Sequence, residues 1–486
     1  MGPQQLGLLH QYAKAQSLKG NTEFVDAFQA LANQGVIGLS NVEPEGFIVV
    51  DSACSATQIA LGAPARSETV GLNADGDPRP TILELAKFKG LKTGLVSDTR
   101  ITHATPAAFA AHVAHRDEEA DIATEMLEVG PDVLLSGGVQ FFIGKTSDPK
   151  EFKNIPFPIH SKRNDDLNLL KRAQETLGYS LVFDRKTLQT HQGGKLLGLF
   201  SNSAMPTALW QNQHGKDPER TVPSLKEMTE AALRTLDHDS DEGFFLMVEA
   251  GQIDWAGHNN DAGDLLHEML QANEALAYIL DWAKKDGSTL VVATADHETG
   301  GFGFSYSAFE PPSPMTLTGL KFKNRPLLFD KNFQDYSHID LLYQQTEGFQ
   351  DFWAQFEALP KAQQTTSSLQ SQIKEVFGVT VSRSEAAQIL KREPNAYFTP
   401  SLYRPTEKEW TEIHDFDAYY YNKMTRQNGA LARSLAIQQG IVWSTGSHTS
   451  TPVAVLAFGP GHSAQRFGKY FTHVELGQAL RKSLGL

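Results

Sequence analysis

The chain has 486 residues, 40% of them hydrophobic, and a formal charge of -14. That length allows a core burying roughly three quarters of the unfolded surface, which argues against disorder, and the negative field argues against a general affinity for nucleic acid or acidic membrane surfaces. A single cysteine, Cys54, excludes an intrachain disulfide framework without fixing the compartment. No run of 18 apolar residues is present, and Met1 is not followed by a charged and then apolar leader, so the chain as given carries neither a membrane span nor a signal peptide.

Short apolar runs alternate with amphipathic stretches, the pattern of an α/β sheet covered on both faces. In chain order, a helix is expected over Thr22 to Asn33, and GFIVV (46–50) as a strand ending at Asp51, with Ser52 opening a helix of Ala, Ser and Thr. KTGLVS (92–97) is the next strand, and Thr105 before Pro106 marks a helix running to His115. A helix over Glu118 to Leu127, the strand DVLLS (132–136), a helix over Ser224 to Leu236 and the strand FFLMVE (244–249) follow. Asp261 to Lys284 reads as a long helix and TLVVATA (289–295) as a buried strand.

Between about Ser307 and Gln438 the pattern loosens into loops such as EPPSPM, with helices such as SRSEAAQILKRE. The core then resumes with IVW (441–443), VAVLAF (453–458) and a helix over Val474 to Ser483. With no linker or repeat in between, the expectation is one large domain, 1–306 and 439–486, carrying an insertion at 307–438 that forms a crown or a dimer contact.

Three segments place chemistry at the ends of apolar runs. Ser52 at a helix start has backbone N–H groups and the positive dipole end beside it, which favours phosphate or a developing oxyanion. Alone it reads as an N-cap, and without a G-x-S-x-G elbow a serine hydrolase fits poorly. In FFLMVEAGQIDWAGHNND, Asp254 and His258 are spaced i, i+4, so one helical turn points both in one direction. That mixture of oxygen and nitrogen suits zinc, and Glu249 at the strand end suits a harder ion such as magnesium. Taken alone, the segment reads equally as a solvated acidic loop.

In VVATADHETGGFG, Asp296 and His297 stand where a buried strand gives way to a glycine-rich loop, and open α/β sheets bind ligands outside the carboxyl ends of their strands. His448 adds a histidine just before another strand. His112, His115 and His267 read as ordinary helical histidines, and Cys54 as a packed residue with nothing nearby in sequence to activate its thiol.

Five stretches, VVDSACSATQIALG, GLVSDTRITHATPAAFAAHVAHR, FFLMVEAGQIDWAGHNNDAG, VVATADHETGGFGFS and GSHTSTPVAVLAFGPG, together resemble the alkaline phosphatase family, in family order and most strongly its bacterial members with a large late insertion. The resemblance implies a three-layer α/β sandwich with a mostly parallel central sheet flanked by helices. It implies metal-dependent hydrolysis of phosphate monoesters through a phosphoserine on Ser52, with Arg116 clamping phosphate and Asp51 orienting Arg116. One zinc would be held by Asp254, His258 and His448, a second by Asp296 and His297 beside Ser52, and magnesium by Thr105 and Glu249. His103 and Trp255 stand where other members carry Asp and Lys or two histidines, so they would tune metal choice and phosphate release. Two zinc ions, one magnesium ion, small phosphomonoester substrates, a homodimer and a periplasmic or secreted location follow as expectations of the same kind.

The family pattern also opens with an apolar strand ending in Gly-Asp-Gly-Met-Gly, whose aspartate binds the second zinc and magnesium. This chain opens MGPQQLGLLHQYA, matching the end of that motif and the helix after it. The expectation is a coding start set at an internal methionine, with a secretion signal upstream, or else a true truncated form. Two other readings stay open: a catalytically impaired member that keeps a metal-binding or assembly surface, and a related phosphodiesterase or sulfatase. Arg116 favours monoesters, because a terminal phosphate offers a guanidinium more free anionic oxygens.

Overall fold

A computed structural model describes the chain except for residues 149–151, 153, 239–241, 324 and 399–406. Its central layer is built from β1 (Val36–Asn41), β2 (Lys92–Arg100), β3 (Val133–Gly137), β4 (Tyr179–Val182), β5 (Lys195–Leu199), β6 (Phe244–Glu249), β7 (Val291–Thr294), β8 (Val453–Phe458) and β9 (Tyr470–Thr472). Five of these form an all-parallel sheet in the order β4-β5-β3-β2-β6. The other four form a mixed sheet, β9-β1-β8-β7, antiparallel on both sides of β8. The helices that frame the site are α1 (Pro3–Leu18), α2 (Ser52–Leu61), α3 (Ala104–Ala110), α4 (Leu225–Asp237), α5 (Gln252–Asn259), α6 (Ala262–Asp286), α7 (Lys423–Gln439) and α8 (His473–Ser483).

The period-2 geometry of a strand sends neighbouring residues to opposite faces, and apolar runs without alternation therefore need cover on both. Leu95, Leu134 and Leu197 accordingly pack with Ala53, Ala60 and Ala107 of α2 and α3 on one face. Val96, Val133 and Leu196 pack with Met228, Ala232 and Leu236 of α4 on the other. The result is the three-layer α/β arrangement with a mostly parallel sheet, and no helix among the described residues is long and apolar enough to cross a membrane.

Several local expectations differ from the fold. GFIVV is not a strand: it runs as turns with Phe47, Ile48 and Val49 exposed at 65%, 76% and 45%. Gly46, at φ +84, turns the chain, which then delivers the Asp51 carboxylate to cap α2. The first expected helix begins at Ala27 rather than Thr22, because the Asp26 side chain accepts Gln29 N–H as its N-cap. Helix α3 starts at Ala104, so Thr105 lies in its first turn rather than at its cap, and it stops at Ala110. There the Glu125 carboxylate takes the His112 N–H at 2.6 Å, and Val113 bridges to Val70. His112, His115 and Arg116 are thus loop residues. In the segment 307–438, Phe349, Phe352, Trp353 and Phe377 build a satellite cluster that also takes in Leu431 and Leu435 of α7.

Candidate active site

The carboxyl ends of β6 and β7 and the start of α2 converge on one buried cluster. Ser52 is the first residue of α2, not its cap; Asp51 is the cap and accepts Ala53 N–H at 3.0 Å and Cys54 N–H at 3.3 Å. Those two helix N–H groups are therefore spent on Asp51 rather than left for an anion. Ser52 Oγ lies 2.9 Å from His297 Nε2, and the same nitrogen is 3.0 Å from Asp296 Oδ2. Burial works against a charged Asp296, yet the adjacent His297 outweighs it and holds the carboxyl below its ordinary range. The loop after His297 depends on Gly300, at φ +89, where an added Cβ would sit 2.6 Å from the Trp443 ring.

The sharpest metal-site geometry is at His258 and His448. Their Nδ1 atoms lie 2.9 Å from Gly446 O and 2.7 Å from Val50 O, so each Nδ1 carries the proton that it donates. With the rings neutral, both Nε2 atoms present lone pairs toward each other, and the two nitrogens stand only 3.0 Å apart. Asp254 Oδ1 is 3.5 Å from His258 Nε2 and 3.4 Å from His448 Nε2. Two imidazole nitrogens and a carboxylate oxygen converging on one point form a donor set that a cation between them would satisfy, and two nitrogens with one oxygen suit zinc. Asp254 is held well below the ordinary carboxylate range: burial raises it, but His258, His448 and His297 more than compensate. Ligand atoms of Asp254, His297 and His448 also lie within 4.8 Å of one another, so His297 sits between the two expected zinc sets.

Arg116 is placed by Asp51, whose Oδ2 accepts from Nη1 at 3.2 Å. Its Nη2 is 3.3 Å from His103 Nε2, which must accept and is therefore unprotonated. Burial, reinforced by Arg116 and Arg100, pushes His103 well below its ordinary pKa, and its buried Nδ1 has no hydrogen-bond partner among the described residues. Trp255 meets the His103 ring edge-on at 5.6 Å. The two residues thus adjoin each other and the arginine.

Glu249, at the end of β6, collects hydroxyls: Ser97 Oγ at 2.5 Å, Thr99 Oγ1 at 3.3 Å, and Thr105. Burial, with Asp98 and Asp296 nearby, pushes Glu249 up to about 8. A partly buried carboxylate among hydroxyl oxygens is a donor set for a hard cation such as magnesium.

Sequence reasoning missed several supports. The Asp296 carbonyl accepts from Ser55 Oγ at 2.5 Å and His473 Nε2 at 2.8 Å, and Ser40 Oγ lies 2.6 Å from His473 Nδ1. Thr299 Oγ1 donates to Asp254 Oδ1 at 2.5 Å; its position two residues after His297, on the same face of an extended segment, is the only signal that marks it. Tyr421, half exposed, sets its ring 6.4 Å from His258.

Comparison with known proteins agrees with this geometry. A family model described as alkaline phosphatase matches residues 1–477. Alkaline phosphatase 3 of Bacillus subtilis is 39% identical over 274 residues, covering 54% of this chain and 53% of that protein. Alkaline phosphatase of Escherichia coli is 30% identical over 336 residues, covering 61% and 68%. The crystal structure of Thermus thermophilus alkaline phosphatase superposes with a TM-score of 0.75 at 26% identity, covering 100% of this chain and 89% of that one. The chain spans about half the length of the first curated relatives it matches.

Proposed function

This chain belongs to the alkaline phosphatase family, and we propose that it hydrolyses phosphate monoesters through a phosphoserine on Ser52, releasing an alcohol and inorganic phosphate. The observation that carries the reading is Ser52 Oγ, 4% exposed as a residue and 2.9 Å from His297, beside the converging Asp254, His258 and His448. In the first half-reaction a bond forms from Ser52 Oγ to phosphorus and the bond to the alcohol oxygen breaks. Water then displaces Ser52 from phosphorus and returns the free hydroxyl. Arg116, held from behind by Asp51, offers two N–H groups to two phosphate oxygens.

We assign one zinc to Asp254, His258 and His448, a second to Asp296 and His297 with Ser52, and magnesium to Glu249 and Thr105. When bound, these ions supply Lewis-acid polarisation of the phosphoryl and leaving oxygens and lower the pKa of serine and water. His103 and Trp255 border the clamp, which supports a role in tuning metal choice and phosphate release. A homodimer is the expected assembly, since closed two-fold dimers are the commonest oligomers, and Phe47, Ile48, Phe416 and Tyr419 are exposed apolar side chains that a subunit contact could cover. The location that accords with this family reading is periplasmic or secreted.

Ser52→Ala tests the reading directly. The variant should lose all phosphoserine trapped after acid quenching with radiolabelled substrate, while zinc per chain stays near the parent value. A labelled peptide from elsewhere in the chain would sink the assignment.

A further inference from the structure

The side chains of Asp254, His258 and Arg116 all keep some area open to solvent, and Tyr421 of the 307–438 segment stands at that opening. The chain on either side of Tyr421 is fixed. Tyr420, 1% exposed, donates its hydroxyl to Asn260 Oδ1 at 3.0 Å, and a Cβ added at Gly429 or Gly446 would come within 2.8 Å of its ring. Asn260, at φ +53, is the C-cap of α5, two residues after His258, and donates to Gly257 O and Thr445 O. On the other side, Asn422 caps α7 by accepting Thr425 N–H at 2.8 Å. Tyr421 is thereby tied to the same helix end that carries His258.

Its ring stands edge-on to His258, with centroids 6.4 Å apart and planes at 77°. Burial pushes the Tyr421 hydroxyl above the ordinary phenol range, and Asp254, Arg116 and Glu68 are the charges that bear on it, while the residue as a whole is 51% exposed. The polar end is thus turned into the site and the ring supplies the open area. Contacts run in series from Ser52 to this ring. Ser52 Oγ lies 2.9 Å from His297, the His297 and His448 rings stack at 3.6 Å, and the His448 and His258 rings lie 4.8 Å apart. A phosphoryl group attacked by Ser52 Oγ expels its alcohol roughly in line, away from the serine. Tyr421 stands at the end of the series away from Ser52.

We propose that Tyr421 is a specificity-determining residue, an aromatic wall beside the leaving group, and that the favoured substrates are monoesters of planar aromatic alcohols rather than of small alkyl alcohols. Aromatic rings attract one another edge-to-face or offset-stacked at centroid separations of about 4.5–7 Å, and an alkyl group offers no such partner. Departure toward Tyr421 rests on the phosphatase reading, in which Ser52 attacks. No bond forms or breaks at Tyr421 itself; its effect lies in how the leaving group is held.

Phenyl phosphate and ethyl phosphate, compared as substrates of the zinc- and magnesium-loaded protein, test the wall. Tyr421→Ala should lower kcat/KM about fivefold for the phenyl ester, the size of one aromatic pair, and leave the ethyl ester within about twofold. Tyr421→Phe should behave as the parent, since the ring and not the hydroxyl is the wall. Equal losses on both esters overturn the proposal, as does a loss on the phenyl ester as large in Tyr421→Phe as in Tyr421→Ala. Zinc lost from Tyr421→Ala alone would make Tyr421 a support of His258 and equally overturn it. Binding without turnover keeps the two readings apart. By calorimetry, phenylphosphonate should bind the parent and Tyr421→Phe about fivefold more tightly than ethylphosphonate does, and Tyr421→Ala should bind the two alike. A parent that hydrolyses neither ester sinks the phosphatase reading, whereas a phosphonate preference that is absent from the parent, or equal in all three proteins, sinks the wall.

Discussion

Asp51 performs two jobs that a pair of substitutions separates. Its carboxylate caps α2 through Ala53 and Cys54, accepts Glu68 N–H at 2.9 Å, and holds Arg116 at 3.2 Å. Asn is as good a cap as Asp, so Asp51→Asn keeps the cap and removes the charge, whereas Asp51→Ala removes both. The paired side chains are 19% and 15% exposed, too little for water to replace the contact fully. A hydrogen bond to a charged group contributes about 1.5–3 kcal/mol, and a cap about 1 kcal/mol. Asp51→Asn should therefore cost about 2 kcal/mol and Asp51→Ala about 1 kcal/mol more, read from urea midpoints at constant slope. With Arg116 no longer braced, inhibition by inorganic phosphate should weaken by about tenfold, or 1.4 kcal/mol, in both variants. Equal stability losses would refute the capping role. Unchanged phosphate inhibition in Asp51→Asn would refute the positioning role.

Arg116→Lys should also weaken phosphate inhibition, because a point charge replaces a two-pronged donor; unchanged inhibition would count against the clamp. His267 is buried, stacked on Tyr343 at 5.2 Å, with Nδ1 2.7 Å from Asn212 Nδ2 and Nε2 3.1 Å from Tyr343 O. Burial pushes it down to about 4, so below its unfolded value the unfolded chain takes up the proton first. Stability should fall as pH drops from about 6.5 to about 4, by up to roughly 3 kcal/mol, and His267→Gln should flatten that slope; an unaltered slope refutes the assignment. Deleting the segment 307–438 should convert a dimer to a monomer in sedimentation, since long ordered insertions usually have a task; a dimer of unchanged dissociation constant refutes it.

The parts of this fold that were legible in sequence are those fixed by short-range rules. β2, β3, β6 and β8 are apolar runs with side chains packed on both faces, and α4 and α6 follow Ser224 and Asp261, whose side chains cap them as such residues do in any context. The clustering of Asp254, His258, Asp296 and His297 follows from their places beyond the carboxyl ends of β6 and β7. What was not legible depends on partners distant in sequence. The end of α3 is set by Glu125, which competes for the His112 N–H, and no pattern within Ala104 to His115 announces it. GFIVV has strand composition but finds no ladder partner among the described residues, and composition alone cannot supply one.

The same distinction separates the ligands from what aims them. Residue type identifies His258 and His448 as candidates, but a histidine becomes a usable metal ligand through one ring nitrogen, and the other must be held. Here the holders are carbonyls of Gly446 and Val50, contributed by loops 188 and 398 residues away along the chain. A backbone carbonyl has no residue type and leaves no mark in a sequence pattern. The tautomer that turns both Nε2 lone pairs toward Asp254 is thus a property of the assembled fold, and single substitutions at Gly446 or Val50 that keep the carbonyls in place should leave it intact while those that move the loops should not.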